Sequence, residues 1–419
     1  MDLYKSYDYQ FRLPEAIPKK ALINLRQLVF EVTSNCNLRC EYCGYGELYN
    51  TRRFTKRTNM NFGIAKNMID YLFDLWSNNE VDYDHRETFI AFYGGEPLLN
   101  MSFIKKVIGY IESLPAPKRR SFVYSMTTNG ILLDRYMDYL AEKKFALLIS
   151  LDGDEQAHSY RINNKGNNSF KQVFSNIKQL QKKYPEFFSE NVNFNAVLTD
   201  RSNTFEIKNF IYENFGKYPT VSELNESGVL PTHKNEFNRI FHPLSQDWES
   251  LQNQETKEKF LETSPFFKSL YHILRSLSGN SFHSYNSLLA KEEGAIFPTG
   301  TCFPFDRKLF LTVNGDILPC ERINQKFCIG KVTEKEVNIN FKEIAERYTL
   351  YYKKIWTLCK TCYTKPVCSQ CLFNIDNIEN KPVCGGYKNK EQYDQFIHSR
   401  LSYLSKNPEV YQKMMKEAF

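Results

Sequence analysis

Three cysteines fall within eight residues in the stretch Ser34-Asn35-Cys36-Asn37-Leu38-Arg39-Cys40-Glu41-Tyr42-Cys43. Soft thiolates this close together suit an iron–sulfur cube, which takes one ligand per iron. Three thiolates leave the fourth iron open to a small molecule. Half of a zinc site, or a scatter of buried thiols, is the alternative. Zinc usually closes paired C-x-x-C units to four ligands, and no histidine stands near these three to complete one.

No cysteine follows until Cys302. Then come Cys320, Cys328, the run Cys359-x2-Cys362-x5-Cys368-x2-Cys371, and Cys384. Eleven cysteines in a chain that reads as intracellular point to metal binding or catalysis before disulfides. A zinc ribbon accounts for the two C-x-x-C pairs but not for the others. A further chemical feature is Gly94-Gly95-Glu96-Pro97. Glycine lets backbone approach a ligand closely, and Glu96 can accept from an ammonium group. A plain tight turn is the alternative.

These residues need elements to hold them. The cysteine loop follows Leu28–Val32, which reads as a buried strand. Helical spacing of Ile64, Met68, Ile69, Leu72, Phe73 and Trp76 predicts a helix over Asn61–Asn78. Strand and helix then alternate: Thr88–Tyr93, Ser102–Leu114, Phe122–Thr128, Leu132–Lys144, Phe145–Leu151, Ser169–Tyr184, Val192–Leu198 and Phe205–Asn214. The result is five βα units, with a sixth strand around Tyr218–Leu224, and hence a parallel sheet with right-handed crossovers. In barrels of this kind the loops at the C-terminal ends of the strands carry the chemistry. The cysteine loop, Gly94–Glu96, Thr127-Thr128-Asn129-Gly130 and Ser150-Leu151-Asp152-Gly153 all stand at such ends.

The division expected is an N-terminal extension over 1–27, the α/β barrel over 28–224, a helical bridge or insertion over 225–295 and a cysteine-rich domain over 296–419. Pro265–Leu277 is the clearest helix of the bridge. In the last domain, Lys308–Val313 and Asp316–Pro319 flank Asn314-Gly315, a hairpin signal. Helices follow over Phe341–Leu358, Asn389–Lys406 and Pro408–Phe419.

At 419 residues, 42% hydrophobic and 25% charged, the composition is that of a soluble globular chain of two or three domains. The net charge of +7 is spread too evenly to indicate nucleic acid, though an acidic peptide would suit it. The basic segment Thr51–Arg57, with Arg52, Arg53, Lys56 and Arg57, is either a solvated loop or a contact for such a peptide. No signal-peptide pattern and no membrane-length apolar run are present, so a cytoplasmic enzyme is expected.

Cys36-x3-Cys40-x2-Cys43, with Tyr42 before the last cysteine, resembles the signature of the radical S-adenosylmethionine (SAM) superfamily. That resemblance implies a partial (β/α)6, TIM-like barrel. In the family the open iron chelates the amino and carboxylate groups of SAM's methionine. The reduced cluster cleaves SAM to a 5′-deoxyadenosyl radical, which abstracts hydrogen from the substrate. The same resemblance implies that Tyr42 belongs to the cofactor loop and that Gly94, Gly95 and Glu96 hold SAM's amino group. Ser150 is implied to contact the ribose, with Asn129 and Asp152 as scaffolding and Asn195 facing the cofactor from the fifth strand. His158 and Arg161 are read as structural.

The late cysteines resemble the SPASM domain, a C-terminal extension of radical SAM enzymes that modify peptides and proteins, although its usual spacing has three residues where Ser369 and Gln370 stand. The two resemblances cover roughly residues 28–215 and 296–390. They imply that Cys359, Cys362, Cys368 and Cys384 ligate an outer auxiliary 4Fe–4S cluster. Cys302, Cys320 and Cys371 would hold an inner one, with Cys328 either its fourth ligand or a buried thiol. In the latter case the inner cluster has an open iron. Glu321 matches an acidic base of sulfatase-maturing relatives, where it takes a substrate proton; otherwise it pairs with Arg322 at the surface.

The activity implied is oxidative modification of a ribosomally made peptide, by a thioether, carbon–carbon or ether crosslink. Formylglycine formation on a sulfatase is the alternative, and a non-catalytic zinc-ribbon binding protein the distant one. The partners expected are a precursor peptide or protein substrate and an electron donor such as flavodoxin or ferredoxin. With no leader-binding domain seen before Cys36, leader recognition falls to residues 225–295 or to a separate protein.

Overall fold

The computed structural model describes residues 12–49, 58–80, 86–226, 228–243, 270–271, 299–365, 368 and 370–418. The chain divides into two compact units: Glu15–Pro243 with Cys302–Ile344, and Met1–Pro14 with Leu244–Thr301 and Ala345–Phe419. The expected contact at Thr51–Arg57 lies outside the described residues, as does Pro265–Leu277 apart from residues 270–271. No helix among the described residues is long and apolar enough to cross a membrane.

In the first unit α1 (Ala16–Ile23) leads into β1 (Gln27–Thr33), followed by α2 (Phe62–Ser77), β2 (Arg86–Gly94), α3 (Met101–Ser113), β3 (Arg120–Thr128), α4 (Leu133–Glu142), β4 (Ala146–Ser150), α5 (Phe170–Lys183), α6 (Pro185–Asn191), β5 (Val192–Val197), α7 (Thr204–Phe215), β6 (Thr220–Ser222) and α8 (Lys234–Ile240). Strands β1 to β6 pair in sequence order, all parallel. From Leu28 to Thr33 every residue of β1 is buried, as a parallel strand covered on both faces requires. The helices turn apolar stripes inward: α2 buries Ala65, Met68, Ile69, Leu72, Phe73 and Trp76. Asn203 and Glu206 cap the start of α7 reciprocally. The short α6 was not expected; seven residues opened by Pro185 give too little periodicity to read.

The hairpin forms as expected from β7 (Leu309–Leu311) and β8 (Asp316–Leu318), and β9 (Gly330–Val332) and β10 (Val337–Asn338) continue it. It does not stand with the late helices. Strand β7 runs parallel to β1, giving one sheet of order β10-β9-β8-β7-β1-β2-β3-β4-β5-β6. Leu309, Phe310 and Leu311 are fully buried, so the free edge of β1 is closed by an apolar strand. Cys302–Ile344 therefore groups with the barrel rather than with the remainder of 296–419. Part of the expected bridge also folds here: Phe237 and Ile240 of α8 pack with Tyr42, Leu48, Tyr49, Tyr160 and Leu224.

The second unit contains α9 (Phe341–Cys359) from Ala345 onward, α10 (Lys390–Lys406) and α11 (Pro408–Ala418). Tyr348, Tyr352 and Ile355 on α9 are fully buried, and Phe373 packs edge-on against Tyr348 at 5.4 Å. Asn389 and Gln392 cap α10 reciprocally.

Candidate iron–sulfur and cofactor site

Strand β1 delivers the chain into the cysteine loop, and the neighbouring strand ends grip that loop by its backbone. Arg39 N donates to Ile162 O at 2.7 Å and Glu41 N to Tyr160 O at 3.1 Å. From the end of β2, Gly95 N donates to Thr33 O at 2.9 Å and Glu96 N to Asn35 O at 2.8 Å. A β-carbon on Gly94 would lie 2.3 Å from Thr33 O, and one on Gly95 2.1 Å from Asn35 O. The two glycines thus admit the backbone of the cysteine loop.

Glu96 is buried (1% exposed) and its carboxylate ties β2 to β3. Oε1 accepts from Thr128 Oγ1 at 2.7 Å and from Leu98 N at 3.1 Å, and Oε2 accepts from Asn129 N at 2.8 Å. A carboxylate offers about four acceptor positions, so room remains for a donor such as an ammonium group. Burial pushes its pKa up to about 7, against the three hydrogen bonds that lower it. A cation beside it would hold it ionised. Asn129 donates to Asn37 Oδ1 at 2.7 Å and so reaches into the cysteine loop.

Cys36, Cys40 and Cys43 are free thiols, and Cys36 lies close enough to the other two for each to raise its pKa. Burial is the main cause of the upward shift in all three, carrying Cys40 to about 12. Buried thiols of this kind ionise only beside positive charge, which bound iron supplies. Backbone N–H groups already face two of the sulfurs: Leu38 N reaches Cys36 Sγ at 3.4 Å, and Tyr45 and Gly46 face Cys43. Among the described residues no three potential ligands converge on a single ion. Three thiols on one short loop fit the donor set of a cube, where each sulfur meets its own iron.

Asp152, at the end of β4, anchors the loop from below. It is wholly buried. Oδ2 accepts from Tyr42 Oη and from Arg161 Nε (2.8 Å); Oδ1 accepts from Arg161 Nη2 at 2.9 Å and from Val197 N at 2.9 Å. Its side-chain partners are thus Tyr42 and Arg161. Buried His158 accepts from Asp152 N at 3.3 Å through Nδ1, and its Nε2 lies 3.1 Å from Ser169 Oγ. Burial lowers its pKa to about 4. Ser150 and Asn195 are direct neighbours across β4 and β5. Arg161 is read as structural in the sequence, and its place nine residues after Asp152 is the local signal for this pairing.

In the hairpin region Glu321 is mostly buried (side chain 14% exposed), and Lys308 Nζ sits 3.1 Å from both of its carboxylate oxygens. Arg322 lies farther off, at 3.9 Å. Tyr45, two residues after Cys43, donates to the carbonyl of Glu321 at 3.1 Å. Its ring meets Tyr93 edge-on, and Tyr93 meets Phe310. Sequence reading singles out neither residue: Tyr45 meets Glu321 across 276 residues, which nothing local marks, and Lys308 meets it across 13, through the turn of the hairpin. Arg322 N faces Cys320 Sγ at 3.4 Å, as Leu38 N faces Cys36. The thiol of Cys328 instead donates to Gly330 O at 2.9 Å. Cys302, Cys320 and Cys328 lie in the first unit and Cys371 in the second.

Within the second unit Cys359, Cys362, Cys368 and Cys384 line one cavity with Thr299, Ile355 and Leu358. Burial raises Cys359 to about 12, and the other three thiols push it further the same way. Four thiols around a cavity fit an extended cluster, while a zinc ion would need all four sulfurs about 2.3 Å from one point.

Residues 30–206 match the sequence profile of the radical SAM superfamily. A cysteine-type anaerobic sulfatase-maturating enzyme of Clostridium novyi is 24% identical over 361 residues, 82% of this chain and 87% of that protein. The radical SAM cyclopropyl synthase TigE of Paramaledivibacter caminithermalis is 28% identical over 225 residues, 51% of this chain and 44% of that protein. The fold matches the solved structure of native anSMEcpe with bound AdoMet and Kp18Cys peptide, with TM-score 0.60 and 21% identity over 93% of this chain and 99% of that one.

Proposed function

From the radical SAM domain that this chain carries over residues 30–206, with the SAM and 4Fe–4S cluster such domains use, we infer that it oxidatively modifies a side chain of a peptide or protein substrate. The observation that carries this reading is the grip of Gly95 and Glu96 on the cysteine loop. It joins the two groups the chemistry needs, a set of thiolates and a carboxylate with acceptor capacity to spare.

SAM bound at the cluster supplies hydrogen-atom abstraction. Cys36, Cys40 and Cys43 hold the cluster; Glu96 receives SAM's ammonium group; Ser150 and Asn195 line the cofactor's side of β4 and β5. Asp152 and Asn129 keep the loop in place through Tyr42 and Asn37. Glu321 takes the substrate proton on its carboxylate, which Lys308 holds in place. Cys359, Cys362, Cys368 and Cys384 would hold an auxiliary cluster, which would supply an acceptor for the electron left when the substrate is oxidised.

The first finer reading is crosslinking of a ribosomally made peptide. The relatives' names favour a second, formylglycine formation on a sulfatase. Mass spectrometry separates them. Anaerobic co-expression with the small peptide encoded beside the gene yields a loss of two hydrogens in an unbranched peptide under the first. A sulfatase peptide carrying cysteine or serine acquires an aldehyde under the second. No mass change in either substrate contradicts the proposed function.

A further inference from the structure

Arg161 lies in the segment that hangs the cysteine loop from below. The residues on either side of it, Tyr160 and Ile162, accept the backbone N–H groups of Glu41 and Arg39. Its guanidinium lies 5.4 Å from the centre of the Tyr42 ring, and the residue is buried (7% exposed). A guanidinium keeps its charge at any ordinary pH. In a poorly solvated interior that charge reaches its neighbours with little screening.

Asp152 faces Arg161 through two parallel hydrogen bonds, at 2.8 and 2.9 Å. The carboxylate shares itself among Arg161, Tyr42 and the backbone of Val197. The two opposite charges are therefore fixed together against Tyr42, which stands between Cys40 and Cys43 in the chain.

We propose that Arg161 is a positioning and charge-setting residue which raises the reduction potential of the cluster held by Cys36, Cys40 and Cys43, and that Asp152 limits that rise. The step concerned is the uptake of one electron by the cluster, from a chemical reductant or a protein donor, with no bond made or broken. The reduced cluster and its thiolates carry one more negative charge than the oxidised form. A fixed buried cation stabilises the reduced form more than the oxidised one. The inference rests on the cluster assignment to the three-cysteine loop and not on the identity of the substrate.

The test is an anaerobic redox titration of the reconstituted full chain, followed by electron paramagnetic resonance. The change in signal on adding SAM selects the first cluster from the auxiliary ones. Arg161→Gln is expected to lower the midpoint potential, and Asp152→Asn to raise it. Arg161→Lys keeps the charge and loses the fork geometry, so its potential should stay near that of the unmutated enzyme. Iron content and melting temperature are read alongside. Should Asp152→Asn fail to fold, the comparison of the two Arg161 variants decides. Equal potentials in Arg161→Gln and Arg161→Lys would overturn the proposal and leave Arg161 a structural residue. An unmutated enzyme with no SAM-responsive cluster would overturn the cluster assignment itself, and the inference with it.

Discussion

A β-carbon added to Gly95 would sit 2.1 Å from the carbonyl oxygen of Asn35. The contact is between two backbones, so no side-chain rotation relieves it. Gly95→Ala must push the cysteine loop away from the end of β2. Overpacking of this kind costs about 1–3 kcal/mol, and the hydrogen bonds from Gly95 N and Glu96 N into the loop would be lost with it. The variant should melt at a lower temperature and load less iron. A native melting temperature with full iron content would show that the loop tolerates displacement.

Glu96→Gln replaces an acceptor oxygen by an amide nitrogen in a site where Thr128, Leu98 and Asn129 all donate. One donor must then face another donor, which destabilises the chain by about 1–3 kcal/mol. Loss of the charge also removes a charge-assisted hydrogen bond to SAM, worth about 1.5–3 kcal/mol. SAM affinity should fall by about tenfold or more in equilibrium dialysis of the reconstituted variant. Unchanged affinity would exclude Glu96 from binding the ammonium group.

Stability should depend on pH through His158. Burial lowers its pKa in the folded chain from 6.5 to about 4. Below pH 6.5 the unfolded chain takes up a proton and the folded chain does not, until about pH 4. Stability from this group is therefore full above pH 6.5 and falls by about 1.4 kcal/mol per pH unit through that window. His158→Asn keeps an acceptor for Asp152 N and a donor for Ser169 but does not titrate. Urea unfolding of the two proteins across pH 5–7 should show a shallower slope for the variant, and parallel slopes would contradict the assignment.

The cavity among Cys359, Cys362, Cys368 and Cys384 predicts iron of its own. A chain carrying two or three cubes holds about 8–12 irons. Cys384→Ala should lose about four of them while the first cluster still binds SAM. Zinc in place of that iron would favour the ribbon reading.

Much of the barrel was legible because its signals are local. The helical stripe of α2 and the apolar run of β1 state their periods within one element, and strand ends place the motifs beside one another. What remained hidden depends on distant partners. The pairing of β7 with β1 joins Leu28 to Leu309, and no feature of either strand names the other. The sequence marks Arg161 only as structural, and its fork onto Asp152 is seen only in the fold. The close approach of Gly94 and Gly95 to Thr33 and Asn35 is likewise a contact between distant stretches, which the turn sequence alone does not name.

The central claim is that the three-cysteine loop holds a cluster which cleaves SAM. Release of 5′-deoxyadenosine from SAM, by the anaerobically reconstituted and reduced chain, measures it directly. The unmutated enzyme should release it, and the variant with Cys36, Cys40 and Cys43 all replaced by alanine should release none. Continued release by that variant, or none from an iron-loaded unmutated chain, would contradict the account.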